Sequence, residues 1–289
     1  EELKKKLFYI KNIDNFGDAN ELAGKLITTA YQATENSGEV TYQAAFQLAT
    51  ALKATFHNLF IGNIVKEYIQ VIEESIGRPL TWAQDDVSLQ NIQARGRAPS
   101  IWMYANIHNA LLLSTSNRSE AAVGYATMDG DTSGGLSPIA GIDKAYLRHW
   151  LRWLEKEGVE GQYKVAALHY VNEQQPTAEL RPQDSKQTDE GDLMPYHILD
   201  DIEAHAIRDK RSPVECFHYL QMQHPSIERE QLKAWIEKFF KLWCRNQWKR
   251  ERYAPSFHLD DKNLDPKTWC RFPILSGGFS KELEELQAL

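Results

Sequence analysis

Residues 111–144 constrain this chain more than any other part of its sequence. An apolar run over residues 110–113 ends in the hydroxyl residues 114–116, and Glu120 follows in the next helical stretch. The run predicts a strand whose carboxyl end exposes hydroxyls and backbone amides, the place where open α/β sheets bind ligands. A lone carboxylate beside it suits a magnesium ion near phosphates. The segment therefore favours a nucleotide site.

Strands alternate with helices over the first half of the chain. This pattern predicts an α/β fold with a doubly wound parallel sheet, flanking helices and a helical C-terminal extension. The predicted strands cover residues 29–32, 55–61 and 110–113. The predicted helices cover residues 41–52, 64–76, 88–106, 142–157, 195–207, 214–223 and 227–247.

The amino-acid composition changes after the predicted helix at 142–157. Residues 172–192 are rich in Pro, Gln, Asp and Glu, which predicts a long surface loop that acts as a lid or binding segment. We divide the chain into an α/β core over residues 1–160 and a covering loop with C-terminal helices over 161–289. The broad Trp- and Phe-rich face of the last helix indicates either core or a subunit interface.

Composition excludes several classes of function. The formal net charge of −7 and the dispersed basic residues argue against a nucleic-acid surface. No apolar run is long enough to cross a bilayer. The three cysteines are widely spaced without a CxxC pair, which argues against zinc and disulfides and favours a reducing cytoplasm.

Residues 114–131, STSNRSEAAVGYATMDGD, resemble the signature of NAD synthetases. Four of its features match: Thr115, Glu120, the Gly-Tyr pair at 124–125, and the Gly-Asp pair at 130–131. Met128 departs from the pattern, because many ammonia-dependent relatives carry Lys there, and this change favours the glutamine-dependent branch. Further segments match in the family's order: YQATENSG (31–38), NIQARGR (91–97), PTAEL (176–180), QTDE (187–190) and NQWKR (246–250).

One family element has no counterpart in this sequence. ATP pyrophosphatases cradle phosphates with a Ser-Gly-Gly-x-Asp-Ser loop after their first strand, and neither Ser-Gly-Gly run here, at 133–135 or 276–278, continues into Asp-Ser. We therefore expect residues 1–289 to be a synthetase domain that lacks its N-terminal strand and phosphate loop. Such a chain is expected to be inactive in isolation if nothing replaces the loop.

The resemblance implies ATP- and magnesium-dependent amidation of deamido-NAD to NAD through an acyl-adenylate, with release of AMP and pyrophosphate. It also implies ammonia from glutamine, supplied by an N-terminal nitrilase-like glutaminase domain outside this chain. A cytoplasmic homo-oligomer without nucleic-acid or membrane partners is expected. Two alternatives stay open: another ATP-pyrophosphatase-type amidoligase, or a non-catalytic nucleotide-binding or oligomer-forming fragment.

Three residues match the family's catalytic positions: Glu120, Asp131 and Lys144. Glu120 is also the expected magnesium ligand, and its structural alternative is an acid that complements a helix dipole. Lys144 is expected to meet ATP phosphate, with a solvated helix lysine as the alternative. Thr115 and Thr177 are the other expected ATP ligands, and residues 187–190 are expected to close over ATP.

Five residues are expected to bind deamido-NAD together with Glu120. Asn91 and Arg95 lie four residues apart, so on a helix they share a face and can grip one ligand by an amide and a guanidinium. Tyr125 and Asp131 match positions on the nicotinic side of the family's pocket. Lys249 is expected near the dinucleotide phosphates, with a basic helix end as its alternative.

Overall fold

The computed structural model describes residues 2–10, 13 and 17–289. Its strands are β1 (Thr28–Ala33) and β2 (Thr55–Phe60). Its helices are α1 (Glu2–Lys6), α2 (Ala19–Leu26), α3 (Glu39–Ala51), α4 (Gly62–Ile76), α5 (Trp82–His108), α6 (Arg118–Val123), α7 (Lys144–Lys156), α8 (His169–Asn172), α9 (Asp189–Asp192), α10 (Tyr196–Glu203), α11 (Pro213–Gln223), α12 (Arg229–Arg245), α13 (Gln247–Arg250) and α14 (Ser280–Gln287). Single turns cover Ala166–Leu168, Gln183–Ser185 and Ala204–Arg208.

The chain divides into two compact units. The sheet unit comprises Glu1–Leu80 and His149–Lys186, and the helical unit comprises Thr81–Arg148 and Gln187–Leu289. Because each unit draws on two separate stretches, the units do not follow the division at residue 160. That division of the synthetase domain stays a prediction.

In the sheet unit, β1 and β2 pair in parallel, with Thr28 opposite Thr55 and Ala33 opposite Phe60. Parallel neighbours need a crossover, and α3 supplies it between the two strands. Helix α4 follows β2 and ends at Gly77, whose φ of 70° is the left-handed conformation that glycine adopts readily. This β-α-β-α order confirms the α/β class with a parallel sheet.

The strand predicted over residues 110–113 is wrong. Leu113 makes one isolated parallel bridge with Leu136, and no strand forms among residues 81–148 and 187–289. Leu111 and Leu113 are 62% and 49% exposed, so this run is not a buried strand. Its partner is the Gly-containing loop 133–136, which is too short to continue a ladder.

The segment 172–192 is also more ordered than a plain loop. It contains the turn Gln183–Ser185 and helix α9, which Thr188 caps by accepting a hydrogen bond from the Gly191 N–H at 3.2 Å.

The helical unit packs around one core formed by α6, α10, α11, α12 and α14. The apolar face of α12 lies inside this core, with Leu232, Ile236 and Phe239 fully buried. This face is therefore core, and it does not offer the surface for a second copy that the sequence suggested. The homo-oligomer itself stays a prediction.

Within the part of the chain that the structure describes, no helix combines the length and the apolar character that a bilayer crossing requires.

Candidate functional site

Helix α6 begins with a reciprocal cap that fixes Glu120. Asn117 Oδ1 accepts a hydrogen bond from the Glu120 N–H at 3.0 Å, and Glu120 Oε2 accepts one from the Asn117 N–H at 3.3 Å. Such a capping box satisfies backbone N–H groups that have no partner inside the helix. Glu120 therefore has a structural role at the start of α6. Its Oε2 takes part in the cap, and its Oε1 is left for another partner.

That partner is Lys144, the first residue of α7. Lys144 Nζ lies 2.9 Å from Glu120 Oε1, and the two side chains are 22% and 17% exposed. Ser116 Oγ donates to Glu120 Oε2 at 3.3 Å and lies 3.2 Å from the Tyr253 hydroxyl. Burial raises the pKa of Tyr253, so its hydroxyl keeps its proton. Two of the three predicted catalytic residues thus meet in a partly exposed polar site.

Asp189, within the predicted 187–190 segment, adds a second carboxylate near this pair. The Tyr196 hydroxyl donates to Asp189 Oδ2 at 3.0 Å, and Lys144 Nζ lies 5.6 Å from the centre of the Tyr196 ring. Burial raises the pKa of Asp189, while the charge of Lys144 opposes the rise. Asp189 Oδ1 is buried and accepts no hydrogen bond from the described residues. Glu120 and Asp189 therefore offer the oxygen ligands that magnesium prefers.

The turn after α6 gathers the residues that were predicted to bind deamido-NAD. Thr127 links two of them: its Oγ1 donates to Asn91 Oδ1 at 2.9 Å, and its N–H donates to Asp131 Oδ2 at 2.6 Å. Arg95 Nε donates to the Met128 carbonyl at 3.0 Å. Asn91 and Arg95 therefore face the same turn, as their spacing on a helix predicts.

Gly130 allows this turn to lie directly against α5. A Cβ at Gly130 would stand 2.9 Å from the Ala94 carbonyl carbon, too close for any other residue without a shift of backbone. Tyr125 connects the other side of the turn to α9, because its hydroxyl donates to Asp192 Oδ2 at 2.9 Å. No local pattern indicates this role for Asp192, because its partner lies 67 residues away in the chain.

The C-terminal end of α6 is held by side chains from the segment that follows α12. Arg250 Nη1 donates to the carbonyls of Ala121 and Ala122, at 3.3 and 2.7 Å. Asn246 Nδ2 donates to the Val123 carbonyl at 2.8 Å. These contacts satisfy carbonyls that a helix end leaves without intrahelical partners.

Lys249 completes this arrangement. Its Nζ donates to the carbonyls of Gly124 and Ala126, at 2.8 and 2.9 Å, and burial lowers its pKa. Gly124 has a φ of 66°, and a Cβ there would lie 2.4 Å from the Asn246 side chain. In the structure Lys249 therefore stabilises the C-terminal end of α6 and the turn that follows it. Its contact with a dinucleotide stays a prediction.

None of these contacts involves the two predicted ATP ligands, Thr115 and Thr177. Thr115 is exposed immediately before the α6 cap. Thr177 belongs to the sheet unit, where its Oγ1 accepts a hydrogen bond from the Glu179 N–H at 3.3 Å.

Comparison with known proteins assigns the chain. The sequence profile of the family described as NAD synthase matches residues 19–252, which is more than half of the chain. The chain belongs to the NAD synthase family. The matched range contains every predicted site residue, from Asn91 to Lys249.

Named NAD synthase relatives resemble most of this chain. The glutamine-dependent NAD(+) synthetases of Aquifex aeolicus and Synechocystis sp. are 36% and 31% identical over 249 and 251 residues, each match covering 86% of this chain and 40% of the relative. The chain thus spans about two fifths of the length of these relatives.

A solved structure supports the same assignment. The glutamine-dependent NAD(+) synthetase of Cytophaga hutchinsonii is 47% identical with a TM-score of 0.82, over 98% of this chain and 45% of that chain. NMN synthetase from Francisella tularensis is 19% identical with a TM-score of 0.56, covers 80% of both chains, and shares the fold. The predicted family and its Rossmann-like α/β fold are confirmed.

Proposed function

We propose that the protein containing this chain converts deamido-NAD to NAD, with ATP as co-substrate and ammonia as the nitrogen source. The observation that carries the proposal is the Glu120–Lys144 ion pair at the start of α6, within the range that matches the NAD synthase family. The pair joins a carboxylate for a metal ion to a cation for phosphate, in a site that stays open to solvent.

The reaction has two steps. An oxygen of the nicotinate carboxylate attacks the α-phosphorus of ATP, the bond to the bridging oxygen breaks, and pyrophosphate leaves. Ammonia then attacks the carboxyl carbon of the acyl-adenylate, AMP leaves with the former carboxylate oxygen, and the nitrogen loses a proton. A carboxylate becomes a good electrophile only after such activation, and the protein mainly positions the reactants and offsets charge.

In our proposal Lys144 neutralises the charge that builds on the leaving pyrophosphate. In our proposal Thr115 and Thr177 contribute hydroxyl groups to ATP. Glu120 and Asp189 would hold magnesium, since both are carboxylates and Asp189 Oδ1 has no hydrogen bond among the described residues. When bound, the ion would add Lewis-acid stabilisation to the phosphate oxygens.

The turn after α6 is proposed to receive deamido-NAD. Asn91 and Arg95 present an amide and a guanidinium from one face of α5, and Arg95 is exposed. Tyr125 and Asp131 belong to this turn, and Asp131 is proposed as the third catalytic residue. Lys249 holds a positive charge beside the same turn through two carbonyls, which favours the dinucleotide phosphates.

We further propose that glutamine is the source of ammonia, through a glutaminase domain outside this chain, in a cytoplasmic homo-oligomer. The names of the relatives and the 40% share of their length support the first part. Cys216, Cys244 and Cys270 are free thiols, as a reducing compartment favours.

An assay of NAD formation tests this proposal. The protein is supplied with ATP, magnesium, deamido-NAD and either ammonium chloride or glutamine, and AMP is quantified alongside NAD. Lys144→Gln is expected to reduce kcat on the order of 100-fold. Lys156→Gln, at the exposed far end of the same helix, is the matched control and is expected to keep full activity.

Two results would overturn the proposed amidation of deamido-NAD, and a third would overturn the glutamine source alone. Amidation of aspartate or xanthosine monophosphate in place of deamido-NAD would indicate another amidoligase. Binding of deamido-NAD without turnover would indicate a nucleotide-binding module. Use of ammonium but never of glutamine would contradict the proposal that a glutaminase domain supplies the ammonia.

A further inference from the structure

A buried polar chain lies directly behind the Glu120–Lys144 pair in the helical unit. Ser119 is fully buried, and its Oγ donates to Asp200 Oδ1 at 2.5 Å. Ser119 Oγ also accepts a hydrogen bond from the Lys144 N–H at 2.8 Å. Asp200 Oδ2 accepts one from the Ala145 N–H at 3.0 Å. Asp200, on α10, therefore reaches both helices that carry the pair.

These contacts fix the first turn of α7. The first backbone N–H groups of a helix lack intrahelical acceptors, and a negative charge at this end is favourable. Ser119 and Asp200 supply the acceptors from outside α7. Because Lys144 and Ala145 are the first two residues of α7, the position of the Lys144 side chain depends on these acceptors.

Neighbouring ion pairs make this arrangement rigid. Arg118 Nε donates to Asp143 Oδ1 at 2.7 Å and lies 3.1 Å from Glu203 Oε1. Lys262 Nζ also pairs with Asp143. Arg118 and Asp143 directly precede Ser119 and Lys144, the two residues that the hydrogen bond from the Lys144 N–H to Ser119 Oγ joins. The starts of α6 and α7 are thus both held by the same buried cluster of charged side chains.

The cluster has the composition of a metal site, but its cations point to another role. Carboxylate oxygens of Asp143, Asp200 and Glu203 lie within 4.8 Å of one another. Arg118 and Lys262 already face these oxygens, and Asp200 has both of its oxygens occupied by donors. We therefore attribute to the cluster the alignment of α6 with α7.

We propose that Asp200 is a positioning residue for the amidation: through Ser119 and the first turn of α7, it holds the Glu120 carboxylate and the Lys144 ammonium in reacting geometry. This inference rests on the proposed function. Asp200 itself touches neither member of the pair by a side-chain contact. Its effect is expected in the chemical step, because a displacement of about 1 Å at a reacting group costs on the order of 100-fold in rate.

Asp200→Asn tests the inference in the intact protein. The amide keeps the shape but replaces one acceptor oxygen by a donor, so it cannot accept hydrogen bonds on both sides. Asp201→Asn is the matched control, since Asp201 is the next residue, is 43% exposed and pairs with His224. Ammonium chloride serves as nitrogen donor, which makes the assay independent of glutamine use.

We expect Asp200→Asn to lower kcat by about 10- to 100-fold, with the dissociation constant for deamido-NAD within about twofold of the unchanged protein. Ser119→Ala, which only removes an oxygen, is expected to act in the same direction and covers the case in which Asp200→Asn does not fold. The double variant is expected to lose no more than the worse single variant, because both residues act through one chain of contacts.

Two results would contradict the inference, and they differ from each other. An active unchanged protein whose folded Asp200→Asn or Ser119→Ala variant matches Asp201→Asn in kcat overturns the positioning role alone. Equal losses in kcat and in deamido-NAD affinity would mark a general structural defect and overturn it as well. No amidation by the unchanged protein overturns the proposed function, and this inference with it.

Discussion

The two ends of α6 are held by different kinds of partner. At the first end, Glu120 meets Lys144 and Ser116 through side chains that stay partly exposed. At the second end, Arg250 and Lys249 donate to backbone carbonyls, and Arg250 is 2% exposed. Both ends carry charged residues that match the family. The Glu120–Lys144 pair leaves charged side-chain atoms open to a substrate, whereas the buried Arg250 does not.

The difference teaches how to separate reactive from structural charges. A buried cation whose N–H groups donate to buried carbonyls stabilises the fold, because those carbonyls would lose their hydrogen bonds without it. A cation paired with a solvent-accessible carboxylate can exchange that partner for a phosphate at low cost. Substitutions in the Glu120–Lys144 pair should therefore change catalysis, and substitution of the buried Arg250 should change stability.

The largest effect is expected at the reactive end. Glu120→Gln should lower kcat on the order of 1,000-fold, equivalent to about 4 kcal/mol in the barrier, because it removes the charge for magnesium and for Lys144. The melting temperature should change little, since Gln also completes a capping box. Glu282→Gln, in the first turn of α14, is the control. A Glu120→Gln variant with full kcat would break the comparison at its first end.

The next effect concerns the structural end. Arg250→Met should lower the free energy of unfolding by about 3 kcal/mol, because buried carbonyls of α6 and of Trp243 lose their donors. Urea unfolding measures this change. Arg252→Met is the matched control, because Arg252 and its partner Asp129 are both more than half exposed, and it should cost less than about 0.5 kcal/mol. Equal costs for both variants would remove the distinction.

A pH dependence should distinguish the cluster behind the first end from the carbonyl contacts at the second. Burial, with Asp143 nearby, raises the pKa of Asp200 to about 7 and that of Glu203 well above its ordinary value, while Arg118 and Lys262 oppose the rise. Since these two groups bind protons more tightly in the folded state, their contribution to stability should be fully present below about pH 4 and decline as pH rises through about 7.

Glu203→Gln should flatten that decline by up to about 1.4 kcal/mol per pH unit, because it removes one titrating group. Urea unfolding between pH 5 and pH 8 provides the slope. Arg250→Met should shift stability equally at all these values, since carbonyls do not titrate. A Glu203→Gln slope equal to that of the unchanged protein would contradict the expected proton linkage.

The smallest effect is expected in the turn after α6. Asn91→Ala should raise the dissociation constant of deamido-NAD about tenfold, because it removes an amide from the proposed binding face and frees Thr127. Calorimetric titration measures this, with Asn106→Ala at an exposed position of the same helix as control. Unchanged affinity in Asn91→Ala would move the ligand away from this turn.

Local patterns predicted much of this structure. Helical spacing located α3, α4, α7 and α12 to within two residues of their observed ends, because amphipathic periodicity is a local property. It also located the C-terminal end of α5, but this helix begins six residues before the predicted start. The family motif placed Glu120 at the start of a helix, where the capping box now holds it. The spacing of Asn91 and Arg95 predicted that both face one turn.

Other features depend on partners that no local pattern encodes. The run at 110–113 reads as a buried strand from hydrophobicity, yet it finds only Leu136 as a bridge partner. Asp200 lies 81 residues from Ser119, and Arg250 lies 128 residues from the Ala122 carbonyl. Their roles follow from tertiary packing, so a single sequence offers no signal for them.

An isotope experiment tests the central claim, that the first end of α6 serves carboxylate activation, most directly. Deamido-NAD labelled with ¹⁸O in both carboxylate oxygens is converted with ATP, magnesium and ammonium chloride. The ¹⁸O content of AMP and of NAD is then measured by mass spectrometry. The account predicts one labelled oxygen in AMP and one in the amide of NAD, with both products lost together in Glu120→Gln. NAD formed while AMP carries no label would contradict it.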